Sequence, residues 1–199
     1  MSISIQSLSF SKLTKYALAI GFVTQLAACV PAVVGGAAVG GSVVADRRTS
    51  GVYVEDENIE LKAVRKMETN LGEQSHVNVT SFNRNVLLTG EVPDAARKTL
   101  AENLMKEVEQ VRDVTNEIVI APKTDIGVRT NDTYITTKVK TQFLTENKFQ
   151  ANYVKVVTEN SVVYLLGLVT QAEADAAVEI ARNTEGVSKV VKVFEYIKQ

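Results

Sequence analysis

The chain of 199 residues has no tryptophan, one histidine (His76), one cysteine (Cys29) and only three prolines. A lone cysteine excludes an internal disulfide, so packing must stabilise the folded body even in an oxidising compartment. It also excludes a zinc site of the usual Cys/His spacing, and a Cys/His catalytic pair once Cys29 has another use. A Ser-His-Asp triad would have to recruit His76, which sits beside Ser75 at the start of a strand pattern and reads as an ordinary strand residue. The glycines from Gly35 to Gly41 lack the lysine and flanking strand of a phosphate loop. A formal net charge of −1 offers nucleic acid no global attraction. No apolar run reaches the about 20 residues that a membrane-crossing helix needs. The expectation is a protein that is not an enzyme, uses no cofactor or metal, and binds no nucleic acid.

What is present begins with Leu26-Ala27-Ala28-Cys29. Lys12 and Lys15 precede the apolar run 16–23, small residues follow, and no acidic residue appears before Asp46. That is the layout of a secretory signal, too short to be a spanning helix. Ending in small residues directly before a cysteine, it resembles a bacterial lipobox. The resemblance implies that diacylglycerol alkylates the thiol, the peptide is cut before Cys29, and the new amine is acylated. The alternatives are an ordinary signal peptide with a cysteine nearby, or a core cysteine. Two or more acyl chains anchor stably where one is marginal. Val30 stands where an aspartate in Gram-negative lipoproteins signals inner-membrane retention, so the resemblance points to the outer membrane, facing the periplasm.

The run 31–45 is small, apolar and glycine-rich, and reads as a flexible spacer or as a segment lying on lipid or a partner. Beyond it the chain repeats. Residues 77–92 match 154–169, each two alternating apolar runs about a polar turn, which reads as a β-hairpin ending in Gly-x-Val at Gly90 and Gly167. A helix precedes each hairpin, with Leu61, Val64, Glu68 and Leu71 on one face in the first copy and Ile135, Val139, Gln142 and Phe143 in the second. A helix follows each, marked by Leu100, Ala101, Leu104 and Val108 and by Ala176, Ala177, Ile180 and Ala181. Strands 114–120 and 187–193 close the copies. The fold class is therefore α+β, two tandem α-β-β-α-β domains, each with its helices on one face of a small mixed sheet. The expected boundaries are a signal at 1–28, lipidated Cys29 and spacer at 29–56, domains at 57–122 and 133–199, and a linker at 123–132.

The doubled unit, the Gly-x-Val after each hairpin and Glu185-Gly186-Val187 before the last strand resemble BON domains. With the lipobox, the Gly/Ala spacer and the Asp-Arg-Arg-Thr segment, the whole chain resembles the dual-BON outer-membrane lipoproteins of the DolP/YraP type. In the first copy Glu109-Gln110-Val111 replaces the junction glycine, so that junction is expected to be built differently. The resemblance implies anionic phospholipids as ligand, a role in envelope integrity and cell division, and no catalysis.

Charge locates the ligand face. Residues 57–122 carry eight cations against eleven acids, whereas 133–158 carry Lys138, Lys140, Lys148 and Lys155 against Glu146 alone. Lysines near an anionic surface contribute about 1 kcal/mol each. Helical phase turns Leu144 away from the core, flanked by Lys140 and Lys148, with Tyr134 nearby, as in a helix that inserts shallowly. The expected phospholipid contacts are Tyr134, Lys138, Lys140, Leu144, Lys148 and Phe149, although Phe149 could instead cover the core. A solvated helix face is the plainer reading. A scaffold binding envelope assembly or division proteins through the first domain or a sheet edge is the competing one.

Overall fold

The computed structural model describes residues 47–198. Cys29, the signal and the glycine-rich run lie outside them. The elements run α1 (Ser50–Leu71), β1 (His76–Phe82), β2 (Asn85–Val92), α2 (Ala95–Lys106), β3 (Asp113–Asn116) and β4 (Val119–Ile120), then α3 (Ile126–Glu146), β5 (Val154–Glu159), β6 (Val162–Val169), α4 (Gln171–Asn183) and β7 (Lys189–Tyr196). In each domain the hairpin is antiparallel and the closing strand joins its second strand in parallel, giving the orders β1-β2-β3 and β5-β6-β7. Both hairpins turn through two left-handed residues, Asn83-Arg84 (φ 52° and 65°) and Asn160-Ser161 (φ 50° and 62°). That pair of positive φ values matches the right-handed twist of the strands it joins.

Gly90 and Gly167 occupy equivalent places. Gly90 pairs with Val77 and Gly167 with Val154. A Cβ would fall 2.0 Å from the His76 carbonyl oxygen in one and 2.4 Å from that of Tyr153 in the other. Each glycine lets the hairpin's own first strand approach where no side chain fits.

One buried aspartate per domain holds the hairpin turn against the first helix. Asp56 accepts from the backbone N–H groups of Asn83 (2.8 Å) and Arg84 (2.7 Å) and from the Ser81 hydroxyl (2.6 Å). Asp132 accepts from those of Asn160 and Ser161, both at 2.8 Å. Two left-handed residues present consecutive N–H groups to one side, and a carboxylate there satisfies both.

The helix faces differ from expectation in the first domain. Its buried α1 row is Asp56, Ile59, Ala63, Met67 and Leu71, while Leu61 and Val64 face solvent. Leu100 of α2 is likewise exposed. The apolar residues on α1 mark two faces, and the buried Asp56 selects the one that reaches the turn. In the second domain Ile135, Val139 and Phe143 are buried as expected. The helices also begin early: α1 starts at Ser50 inside the expected spacer, capped by Thr49, and α3 starts at Ile126 inside the expected linker. The first closing strand breaks into β3 and β4 around Ile118, which turns into the core. The expectation of a different first junction is also corrected. Gln110 takes a left-handed φ of 72°, as Gly186 does at 95°, so the turn survives without the glycine.

The second face of each sheet is not open. Phe82 and Leu87 of the first domain pack with Tyr164 and Leu166 of the second, with Val157, Val191 and Val193 around them. Alternation along β2 sends Val86 and Leu88 to the helices and Leu87 to this seam; β6 divides Val163 and Leu165 from Tyr164 and Leu166 in the same way. Burial pushes the Tyr164 hydroxyl up to about 12, so it stays neutral. Polar hooks close the seam: Glu159 accepts from Asn78 (2.7 Å), Glu195 from Asn83 (2.9 Å) and Asn85 (3.0 Å), and Lys155 pairs with Glu60 (2.8 Å).

Candidate functional site: the outer face of the third helix

Helix α3 buries Asp132, Ile135, Val139 and Phe143, which leaves the opposite stripe free. Ile126, Thr130, Thr133, Thr137, Lys140, Thr141 and Leu144 lie along that stripe, all exposed. Ile126 and Leu144 end it, 80% and 70% exposed, about 27 Å apart at 1.5 Å per residue. Sequence reading missed Ile126 because it assigned that residue to a linker.

The threonines make the stripe more apolar than their type suggests. The hydroxyls of Thr130, Thr133, Thr137 and Thr141 donate to the carbonyls of Ile126, Arg129, Thr133 and Thr137 at 2.9 to 3.0 Å. With their donors turned into the helix, what they present outward is chiefly methyl. Tyr134, 60% exposed, flanks the stripe.

The lysines divide into two kinds. Lys140 lies on the stripe and forms no ion pair among the described residues. Lys138 pairs with Glu185 at 2.7 Å and stands 4.7 Å from the centre of the Tyr134 ring. That carboxylate's hydrogen bond holds the Lys138 ammonium above its ordinary value. Lys148 pairs with Glu146 at 3.0 Å, which raises its value in the same way. Exposed pairs of this kind contribute little to stability.

Phe149 does not belong to the face. It is buried against Phe143, ring centres 4.9 Å apart and edge-on, and covers the core at the end of α3. Asn147 takes a left-handed φ of 48° at the helix end, and the chain beyond it returns to the core. Tyr134, Lys138, Lys140, Leu144 and Lys148 are thus brought to one helix and its end, and Phe149 is removed from the set.

Two arginines precede α1. Arg47 reaches the second domain, with both terminal guanidinium nitrogens on the Glu173 carboxylate (2.7 and 2.8 Å), a bond to the Leu168 carbonyl (2.8 Å) and the Tyr153 ring at 3.7 Å. Arg48 turns to the first, bonding Asp56 at 2.8 Å over the Phe82 ring at 4.1 Å. Consecutive arginines therefore bind the two domains.

Among the described residues no His/Cys/Asp/Glu group is arranged to hold a metal, and no helix is long and apolar enough to cross a membrane. His76 lies at the seam, 4.0 Å from Glu159 and 3.2 Å from the Asn78 amide, and desolvation lowers its ordinary value.

The BON domain family model matches residues 55–122 and 131–198. The chain is 40% identical over 192 residues, 96% of its length and all of the relative's, to outer membrane lipoprotein DolP of Haemophilus influenzae. It is 38% identical to a 21 kDa hemolysin of Actinobacillus pleuropneumoniae over 77% of this chain and 80% of that one. To osmotically-inducible protein Y of Escherichia coli it is 29% identical over 70% and 72%. None of the three is named as an enzyme. Two matched repeats that begin just before Asp56 and Asp132, with likeness across nearly the full length, establish that the chain belongs to the BON-domain family as a DolP-like tandem pair.

Proposed function

We propose that this protein is an outer-membrane lipoprotein, anchored at Cys29 and facing the periplasm, whose second domain binds anionic phospholipid through the outer face of α3. It is a binding protein rather than an enzyme, and serves envelope integrity and cell division. The observation that carries the reading is Leu144, 70% exposed in line with Lys140, which has no ion pair among the described residues, and a row of threonine methyls. An exposed leucine alone is unremarkable. A stripe of apolar groups flanked by lysines on a body joined to lipid is the arrangement of an interfacial helix. The relative named as an outer membrane lipoprotein supports the location.

Binding of the mature chain with Cys29→Ser to phosphatidylglycerol vesicles, against phosphatidylcholine alone, tests this. Leu144→Asp and Lys140→Glu should each weaken binding about tenfold or more without shifting the melting temperature, and salt should weaken it further. Equal binding to both vesicles, or intact binding in both variants, would overturn it.

The second reading, a protein partner on the first domain, has its own observation. Val54, Leu61 and Val64 are 57%, 59% and 43% exposed along α1, among Glu57 and Glu68. Such a face suits a partner carrying apolar and basic groups better than an anionic membrane.

A further inference from the structure

Between the start of α1 and the end of α3 lies an open cleft of about 450 Å³ that both domains line. Tyr53 and Glu57 stand on the α1 side, Lys140 and Leu144 on the α3 side, with Arg48 and Lys155 among the other walls. Lys140 and Leu144 are thus both members of the lipid face and walls of the cleft, and Tyr53, half exposed, stands across from them.

Resting on the phospholipid reading of α3, we propose that the anionic head group is taken by this cleft, so that the first domain supplies part of the lipid site. One cation of the cleft is placed to take a phosphate. Of the cations in its walls, Arg48 is paired with Asp56 and Lys155 with Glu60, each at 2.8 Å, which leaves Lys140, without a carboxylate partner among the described residues, to meet it. The apolar groups at the rim, Tyr53 and Leu144, are placed to follow the head group's glycerol and acyl carbons, as side chains with one wet end do at a membrane interface. Two acids also line the cleft: Asp56 is compensated by Arg48 and the turn donors, and Glu57 is the opposing charge that remains. It is exposed and makes no hydrogen bond or ion pair among the described residues, so it repels an anionic ligand without serving the fold. Arg48, bonded to the buried Asp56, is a wall of this cleft beside Tyr53. The sheet-to-sheet seam holds the two walls in register.

The test uses the mature chain with Cys29→Ser and vesicles of phosphatidylcholine with or without phosphatidylglycerol. Tyr53→Asp should weaken binding to the anionic vesicles several-fold. Glu57→Lys should tighten it about fivefold or more, since it replaces a repulsive charge at the site with an attractive one. Glu68→Lys is the control, on the same helix but about 16 Å further along, beyond a Debye length in physiological salt. It should leave binding within about twofold. Tyr53→Asp binding like the parent, or Glu57→Lys and Glu68→Lys tightening alike, would overturn the proposal and leave α3 as the whole site. Leu144→Asp run in parallel separates the two readings: survival of binding there overturns the α3 reading itself, and the cleft with it. Melting temperatures of the exposed-site variants should match the parent, and Glu57→Lys tests the cleft even if Tyr53→Asp fails to fold.

Discussion

Replacing Asp56 by alanine should cost markedly more than the same change at its counterpart Asp132, although both clamp a hairpin turn. Asp132 accepts from two backbone N–H groups. Leaving buried donors of this kind unsatisfied costs about 1–3 kcal/mol. Asp56 serves two such donors, the Ser81 hydroxyl and the Arg48 guanidinium, and both side chains of its ion pair are less than 10% exposed. Breaking a buried pair by removing one partner costs about 3–5 kcal/mol, because the remaining charge loses its compensation. For a body of this size 1 kcal/mol moves the melting temperature by about 2–4 °C. Asp56→Ala should therefore lower it by about 10 °C, and Asp132→Ala by about half that. Circular dichroism melts and urea midpoints read the global effect. Hydrogen exchange at the amides of Asn83, Arg84, Asn160 and Ser161 reads it locally, and each variant should lose protection only at its own turn. Equal losses within about 0.5 kcal/mol, or unchanged exchange at Asn83 and Arg84 in Asp56→Ala, would refute the assignment of Arg48 and Asp56 as one buried unit.

Gly90→Ala should be among the most damaging single changes, because φ is +108° and the new Cβ would meet a backbone oxygen at 2.0 Å. A urea midpoint close to the parent's would show that the strands can separate there. Gln110→Gly should stabilise by up to about 1 kcal/mol, since glycine adopts the left-handed region that costs other residues; a loss of stability in the same melt would count against it. Glu159 is raised above the ordinary carboxylate value, first by desolvation at the seam. The fold therefore favours its protonated form, a contribution fully present below the unfolded value of 4.5 and lost as pH rises through the folded one. Glu159→Gln should accordingly be more stable than the parent at pH 7, with the advantage shrinking toward pH 4.5. Paired urea titrations across that range check it, and a pH-independent difference would refute it.

The sequence by itself determined the repeat, the order of elements and the equivalence of Gly90 and Gly167. Local rules sufficed for these: alternation for the strands, a polar two-residue turn for each hairpin, and apolar spacing for the helices. In the second domain it also placed the buried face of α3, because Ile135, Val139 and Phe143 form one apolar row. The first domain was less legible. Leu61 and Val64 compete with Ile59, Ala63 and Met67 for the inward face of α1, and apolar character alone does not separate them. The buried Asp56 does, through a contact with Asn83 and Arg84 that local spacing does not announce. The seam left only a weak sign, the unbroken apolar runs Val86-Leu87-Leu88 and Val162 to Leu166, whose residues need two faces to bury them. Leu144 and Lys140 were readable from helical phase, whereas Phe149 was not, since it lies past the helix end where phase no longer applies. Only tertiary structure sent Phe149 back onto Phe143 and set Tyr53 opposite Leu144, because both depend on how separate elements pack rather than on the spacing within any one of them.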